Sequence, residues 1–174
     1  MAPIDFITAL GRLLRDGLLR DAFHADPRAV AAQMDLRESD RDAFVRLNPE
    51  DLEFQAGVLI RKRFDTVQKF TPETFRRLGC EAWPRFSKYA RSYWPAEKDS
   101  ITKDAYEFCR NLLHGHQEFL CEAEWNRFQF IFGRRRFAVF CVRGILIRHK
   151  RRTVLQVFVR SSARWHERLF FMAV

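Results

Sequence analysis

The chain has 174 residues, 47% of them hydrophobic, which suits one domain or a helical body with a small β appendage. No apolar run approaches the roughly 18 residues that cross a bilayer, and the N-terminus lacks a basic region followed by an apolar one. Composition thus argues against a membrane span and a signal peptide, and we expect a cytoplasmic protein with no membrane partner.

Spacing of apolar residues, capping residues and prolines predict helices along the first two thirds of the chain. The clearest start is Asn48 followed by Pro49 and two acids, because asparagine caps a helix and acids favour the positive end of its dipole. That helix should run to about Lys69. Further helices are predicted over residues 4–14, 18–23, 27–34, 40–47 with Ser39 as cap, 72–78 with Thr71 as cap, 84–94 and 104–113.

The stretch from His114 to Gly133 is ambiguous. Compatible spacing extends the last helix through Gly115 to about Phe132, whereas Phe128–Phe132 alternates as a strand would. The four cysteines show no CxxC spacing, so neither a zinc site nor a disulfide framework is expected. Cys109, Cys121 and Cys141 are predicted to be buried, reduced thiols.

Three runs rich in β-branched and aromatic residues follow Gly133: residues 136–143 with an extension to 147, 153–160 and 165–172. Short gaps between them predict an antiparallel meander. The sequence therefore predicts an α+β fold, with a helical domain over residues 1–133 and a β-meander over residues 134–174.

The meander holds all of the excess positive charge behind the net charge of +9. Residues 134–174 contain ten Arg and one Lys against the single acid Glu167, while the preceding residues are almost neutral. Such a field favours an anionic partner, which could be nucleic acid, an acidic peptide or an acidic protein surface. A solvated rim of arginines is the simpler alternative.

The meander also lacks a face that is clearly polar. Leu155, Val157 and Val159 share one face of the second strand while Phe158 lies on the other, and both outer strands are apolar on both faces. Sheets with one solvated face alternate cleanly, so we expect something to cover the second face. The two edges of the meander offer unpaired backbone groups to an incoming strand.

Motifs of catalysis are missing. The sequence contains no GxGxxG or Walker loop, no HExxH and no GxSxG. His114 and His116 form the nearest metal-like pattern, but two helical residues at this spacing point apart. We expect no catalytic residue, metal or cofactor on this chain. Arginines beside aromatics keep nucleic-acid binding as an alternative, disfavoured by the aliphatic side chains on both faces of the sheet.

The middle of the chain resembles a bacterial family of helical partner proteins, once labelled DNA-binding, that accompany multinuclear non-haem iron oxidative enzymes in peptide natural-product pathways. The short length and C-terminal meander resemble its MbnC-like partner subunits of methanobactin biosynthesis. The residues that carry the resemblance are Thr71-Pro72, Leu78-Gly79, Trp83, Phe86, Tyr89-Ala90, Tyr93, Pro95, Asp104-Ala105, Phe108 and Leu112.

This resemblance implies a division of labour. A separate TIM-barrel subunit would hold the iron, and the partner would bind the leader of a ribosomal precursor peptide and present its core cysteine for O2-dependent conversion to oxazolone and thioamide groups. The chain would then be the non-catalytic half of a heterodimer, with iron on the other subunit. The alternative function is a nucleic-acid-binding regulator that uses the basic sheet.

The resemblance and the open meander together place the leader on an edge strand. We favour the third strand over the edge formed by Phe137–Arg143, with main-chain bonds giving affinity and alternate side chains giving selectivity. The predicted peptide-binding residues are Trp165, Glu167, Arg168, Leu169, Phe170, Phe171 and Met172. The predicted partner-interface residues are Arg136, Phe140, Arg143, Arg152, Phe158 and Arg160.

Overall fold

The computed structural model describes residues 3–95, 100–147, 150–161 and 164–171. A series of α-helices precedes one three-stranded antiparallel sheet, which confirms the α+β class. No helix within these ranges combines the length and the apolar character needed to cross a membrane. The helices are α1 Phe6–Arg15, α2 Gly17–Ala25, α3 Pro27–Gln33, α4 Glu38–Val45, α5 Pro49–Phe70, α6 Pro72–Leu78, α7 Ala82–Ser92, α8 Ser100–Leu113 and α9 Glu122–Phe132.

Capping residues predicted some helix starts correctly and others wrongly. Asn48 Oδ1 accepts a hydrogen bond from the Glu50 N–H at 2.9 Å, as predicted for the start of α5. The prediction of Ser39 as a cap is wrong, because α4 already begins at Glu38 and the Ser39 hydroxyl donates to Asp40 instead. The polar composition of residues 96–100 predicts a loop between α7 and α8, and residues 96–99 lie outside the described residues.

The predicted helix through Gly115 is also wrong. α8 ends at Leu113, where the N–H groups of Gly115 and His116 both donate to the Leu112 carbonyl, at 3.2 and 2.6 Å. A short 3-10 helix, Gln117–Phe119, follows before α9 begins. Residues 128–132 are helical rather than a strand.

The chain forms two compact units. Unit 1 comprises Met1–Lys69 and Cys80–Phe108, and unit 2 comprises Phe70–Gly79 and Cys109–Val174. The division differs from the boundary expected at Gly133. Unit 2 combines α6 and α9 with the sheet because α9 packs on the strands and also binds the start of α6.

A buried ion pair crosses the aromatic core of unit 1. Arg63 donates to both Asp104 carboxylate oxygens, at 2.9 and 2.8 Å, and the Tyr89 hydroxyl donates to the same carboxylate at 2.9 Å. Burial raises the pKa of Tyr89, so this hydroxyl keeps its proton. Phe86 packs edge-on against Phe108 beside this pair, with ring centroids 5.1 Å apart.

The sheet of unit 2 has the order β1-β2-β3. β1 is Phe137–Ile147, β2 is Lys150–Arg160 and β3 is Trp165–Phe171, so β2 begins three residues before the predicted Thr153. The register of β1 and β2 shifts between Val142 and Ile145, which marks a β-bulge. Gly144 lies inside it with a φ of +72°, a conformation that side-chain-bearing residues avoid.

The start of α6 is capped by a residue fifty positions later in the chain. Thr71 makes no side-chain capping bond, contrary to the prediction. The Glu124 carboxylate of α9 instead accepts from the N–H groups of Glu73 and Thr74 at 2.8 and 2.9 Å, and from the Thr74 hydroxyl at 2.6 Å. Glu124 is only 4% exposed, and its burial raises its pKa.

Replacing Glu124 with Ala should lower the free energy of unfolding by about 1–3 kcal/mol, because three donors lose their acceptor in a buried place. Urea denaturation followed by circular dichroism measures the change. Glu122→Ala is the matched control, since Glu122 is an exposed acid in the first turn of the same helix. Equal losses for the two variants would contradict the capping role.

Glu124 should also give a recognisable pH dependence. Its folded-state pKa lies above 4.5, the ordinary value for the unfolded chain, so the folded state takes up a proton first as the pH falls. The stability of the wild type relative to Glu124→Gln should therefore rise as the pH is lowered from 7 toward 4.5. Denaturation midpoints across this range measure it, and a flat difference would contradict the raised pKa.

Gly144→Ala should lower the melting temperature, because an alanine in the left-handed region costs about 1 kcal/mol. Among the described residues, no atom outside Gly144 and its two chain neighbours lies within 4 Å of the position that its Cβ would take, so the cost comes from the backbone and not from a clash. Gly11→Ala, inside α1 and equally unobstructed, should stabilise by roughly 0.5–1 kcal/mol. Thermal scans should thus give shifts of opposite sign, and a neutral Gly144→Ala would contradict the argument.

Candidate functional site: the C-terminal sheet

One face of the sheet is covered by α9. Phe158 is fully buried and stacks on Phe130 of α9, with ring centroids 5.0 Å apart. Ala138, Val142 and Val154 are buried on the same face. The strand alternation that places these residues inward sends their neighbours to the other side.

The other face, which we call the open face, is exposed and largely apolar. Phe137, Val139, Val159 and Phe170 are between 45% and 59% exposed on it. Its centre is formed by the half-buried Leu155 and Val157. By register the full face consists of Phe137, Val139, Cys141, Leu155, Val157, Val159, His166, Arg168 and Phe170. Nothing covers this face within the part of the chain that the structure describes, so the expectation that something beyond the sheet covers it stays a prediction.

A polar network ties α9 to the middle of the sheet. The fully buried Gln156 side chain donates to the Ala123 carbonyl at 2.9 Å and to Glu167 at 2.8 Å. Arg127 of α9 donates to the other oxygen of Glu167 at 2.8 Å. Each of these side chains therefore has a structural task.

Within the described residues, no strand pairs with the outer edge of β3. Ser161 N–H donates to the Arg164 carbonyl at 2.8 Å, which identifies this pair as a hydrogen-bonded one. Residues of an antiparallel strand alternate in the direction of their backbone groups. The N–H groups that point away from β2 are therefore those of Trp165, Glu167, Leu169 and Phe171.

The outer edge of β1 has the same property. Arg160 N–H donates to the Arg136 carbonyl at 2.8 Å, so the backbone groups of Arg136 face β2. By alternation, those of Phe137, Val139 and Cys141 face outward. Two edges, of 11 residues in β1 and 7 in β3, are thus available, and the structure gives no preference between them.

The structure places the predicted peptide-binding residues on β3 but gives them different surroundings. Three of them lie on the face that α9 packs against but are not covered by it: Trp165, Leu169 and Phe171. Arg168 and Phe170 are exposed on the open face. The Glu167 side chain needs correction as a peptide contact, because its carboxylate is engaged by Arg127 and Gln156. Its outward backbone N–H stays a predicted contact. Met172 lies outside the described residues.

Half of the predicted partner-interface residues also need correction. Phe158 is inaccessible beneath α9, and Phe140 is half-buried with its ring edge-on to Phe158. Arg160 donates to carbonyls at the end of α9, at 2.8 Å for Gly133 and 2.9 Å for Ile131, so it closes the helix end. Arg136, Arg143 and Arg152 are exposed.

Two of the four free cysteines are buried and two are exposed. Cys109 and Cys121 are buried as predicted, and burial raises the pKa of both thiols. Cys141 is exposed, contrary to the prediction, because it lies on the open face, and Cys80 is exposed as well. Among the described side chains, no three His, Cys, Asp or Glu residues stand close enough together to hold a metal ion.

Sequence reasoning missed a cluster of arginines beside the β-bulge. Arg76 and Arg77 of α6 line one cavity with Arg143 and Arg151 of the hairpin. These residues are far apart in the sequence, so no motif joins them. The available signal was Gly144, an isolated glycine within a run of strand-forming residues.

Comparison with known proteins gives one likeness. Residues 46–114 match the family described as SCO6045-like, C-terminal domain. The match covers α5 to α8, which is less than half of the chain and lies before the sheet. No curated protein and no solved structure matches the chain.

Proposed function

We propose that this chain is a non-catalytic, MbnC-like partner subunit of an iron- and O2-dependent peptide-modifying oxidase. It would bind the leader of a ribosomal precursor peptide in the cytoplasm and present the core cysteine to a separate TIM-barrel subunit that holds the iron and forms the oxazolone and thioamide groups. The observation that carries the proposal is a small sheet with two free edges and one exposed apolar face.

The free edges support the peptide-binding part. An extended peptide that adds a fourth strand gains main-chain hydrogen bonds along the whole edge. On β3, the outward N–H groups of Glu167 and Leu169 lie between exposed side chains that could contact alternate residues of the leader. The arginine content of the unit suits a peptide with acidic positions.

The open face supports the partner subunit. Exposed apolar residues that form a contiguous patch with a polar rim mark interaction surfaces. Val139 and Val159 lie beside Val157 on this face and are 47% and 45% exposed. Exposed arginines, among them Arg136 and Arg168, supply the charged rim.

The first experiment is co-expression with a multinuclear iron enzyme encoded beside its gene. We expect a one-to-one complex that contains iron. Val159→Glu should abolish it by placing a charge in the open face, whereas Ile7→Glu, at an exposed apolar position of unit 1, should not. Size-exclusion chromatography with metal analysis measures both.

A wild-type chain that purifies alone would contradict the proposal. If that lone chain also bound DNA with a steep dependence on salt, the arginines would be contacts to phosphates. The nucleic-acid-binding alternative would then replace the proposed function.

The edge used by the leader can be tested with prolines. Leu169→Pro removes an outward N–H from β3 and leaves the bonds to β2, which proline at an edge allows. We expect at least a tenfold loss of affinity for a fluorescein-labelled leader peptide, measured by fluorescence anisotropy. Leu169→Ala, which keeps the N–H, should lose much less.

Val139→Pro is the matched variant on the β1 edge. It should bind the leader as the wild type does if β3 is the acceptor, and circular dichroism verifies that both proline variants are folded. Loss of affinity in Val139→Pro with normal binding by Leu169→Pro would assign the leader to β1 instead.

A further inference from the structure

A second candidate binding site lies in unit 2, beside the β-bulge and away from the outer edge of β3. It is a cavity of about 510 Å³, within the range of small-molecule sites. Its walls come from α6, the 3-10 helix and the hairpin of β1 and β2. The lining residues are Glu73, Arg76, Arg77, Glu118, Phe119, Arg143, Gly144 and Arg151.

Part of the positive charge in this cavity is already paired. Arg76 donates twice to the Glu73 carboxylate, at 2.8 and 2.6 Å, and this bonding lowers the pKa of Glu73. Arg77 donates to the Leu120 carbonyl at 2.8 Å and lies 3.6 Å from Glu73. Glu118 faces His116 at 3.8 Å.

Arg143 and Arg151 are different. Both side chains are exposed, and neither forms an ion pair or a side-chain hydrogen bond with another residue in the described ranges. They come from neighbouring strands, and four arginines against two glutamates leave the wall with a net positive charge. The unpaired part of that charge lies on the hairpin.

The backbone adds a second observation. Gly144, with its φ of +72°, lies directly after Arg143 and itself lines the cavity. A β-bulge bends its strand and re-aims the side chains around it. The bulge therefore interrupts regular pairing at the position where Arg143 and Arg151 share one cavity.

We propose that this cavity binds the phosphoryl group of a small molecule. One guanidinium fork satisfies one carboxylate, as Arg76 and Glu73 illustrate in the same cavity. Two further forks call for an anion with more charge and more acceptors, and a phosphoryl group supplies close to two negative charges and three oxygens. Phe119 adds an apolar wall for the body of the ligand.

Isothermal titration of the full chain with pyrophosphate, at constant ionic strength and without divalent metal, tests the site. We expect saturable one-to-one binding that Arg143→Gln and Arg151→Gln each weaken at least tenfold. Arg135→Gln removes the same charge from an exposed position of unit 2 outside the cavity and should change affinity less than twofold.

Arg143→Lys separates a fork from a mere charge, because lysine keeps the charge but cannot form two parallel bonds. It should still weaken binding severalfold, and unfolding scans verify that each variant is folded. The proposal is overturned if the wild type shows no saturation, if Arg135→Gln weakens binding as much as the cavity variants do, or if succinate binds as tightly as pyrophosphate. None of these results bears on the leader or on the iron subunit.

Discussion

The buried carboxylate of Glu124 is the constraint on which unit 2 depends. This carboxylate belongs to α9 and accepts hydrogen bonds from the first N–H groups of α6. The same helix packs against the sheet through Phe130, so α9 contacts both α6 and the sheet. A charged group in such a place is tolerated because three donors compensate for the lost water. The short helix α6 and its two arginines are therefore held by a contact of long sequence separation.

The packing of α9 against the sheet explains why only one face of the sheet, the open face, is exposed within the described residues. Gln156 donates to the Ala123 carbonyl of α9, Glu167 accepts from Arg127 of α9, and Phe158 packs against Phe130. With these residues committed, the exposed parts of the sheet are its edges and its open face. The division agrees with the physical rule that buried polar groups are paired, whereas apolar groups left exposed in a patch await a partner.

The sequence predicted what local chemistry determines. Asn48 predicted the start of α5, and runs of β-branched residues predicted all three strands, because caps and alternation depend on a few neighbouring residues. The Glu124 cap joins residues about fifty positions apart and has no local signal. Alternation also cannot tell which face a helix of the same chain will cover, which is why Phe158 was assigned to a partner. Of the family-like pattern, Tyr89 and Asp104 lie in the core of unit 1, so that pattern reports packing more than function.

The two free edges have a consequence for the chain on its own. Each copy offers a template on which another copy could pair, which is the usual beginning of edge-to-edge aggregation. The arginines that surround the sheet oppose this, since approaching copies repel each other through their like charges. Salt shortens the range of that repulsion to about 8 Å at physiological strength. The colloidal stability of the isolated chain should therefore decline as ionic strength rises, and a strand bound at one edge would remove one of the two templates.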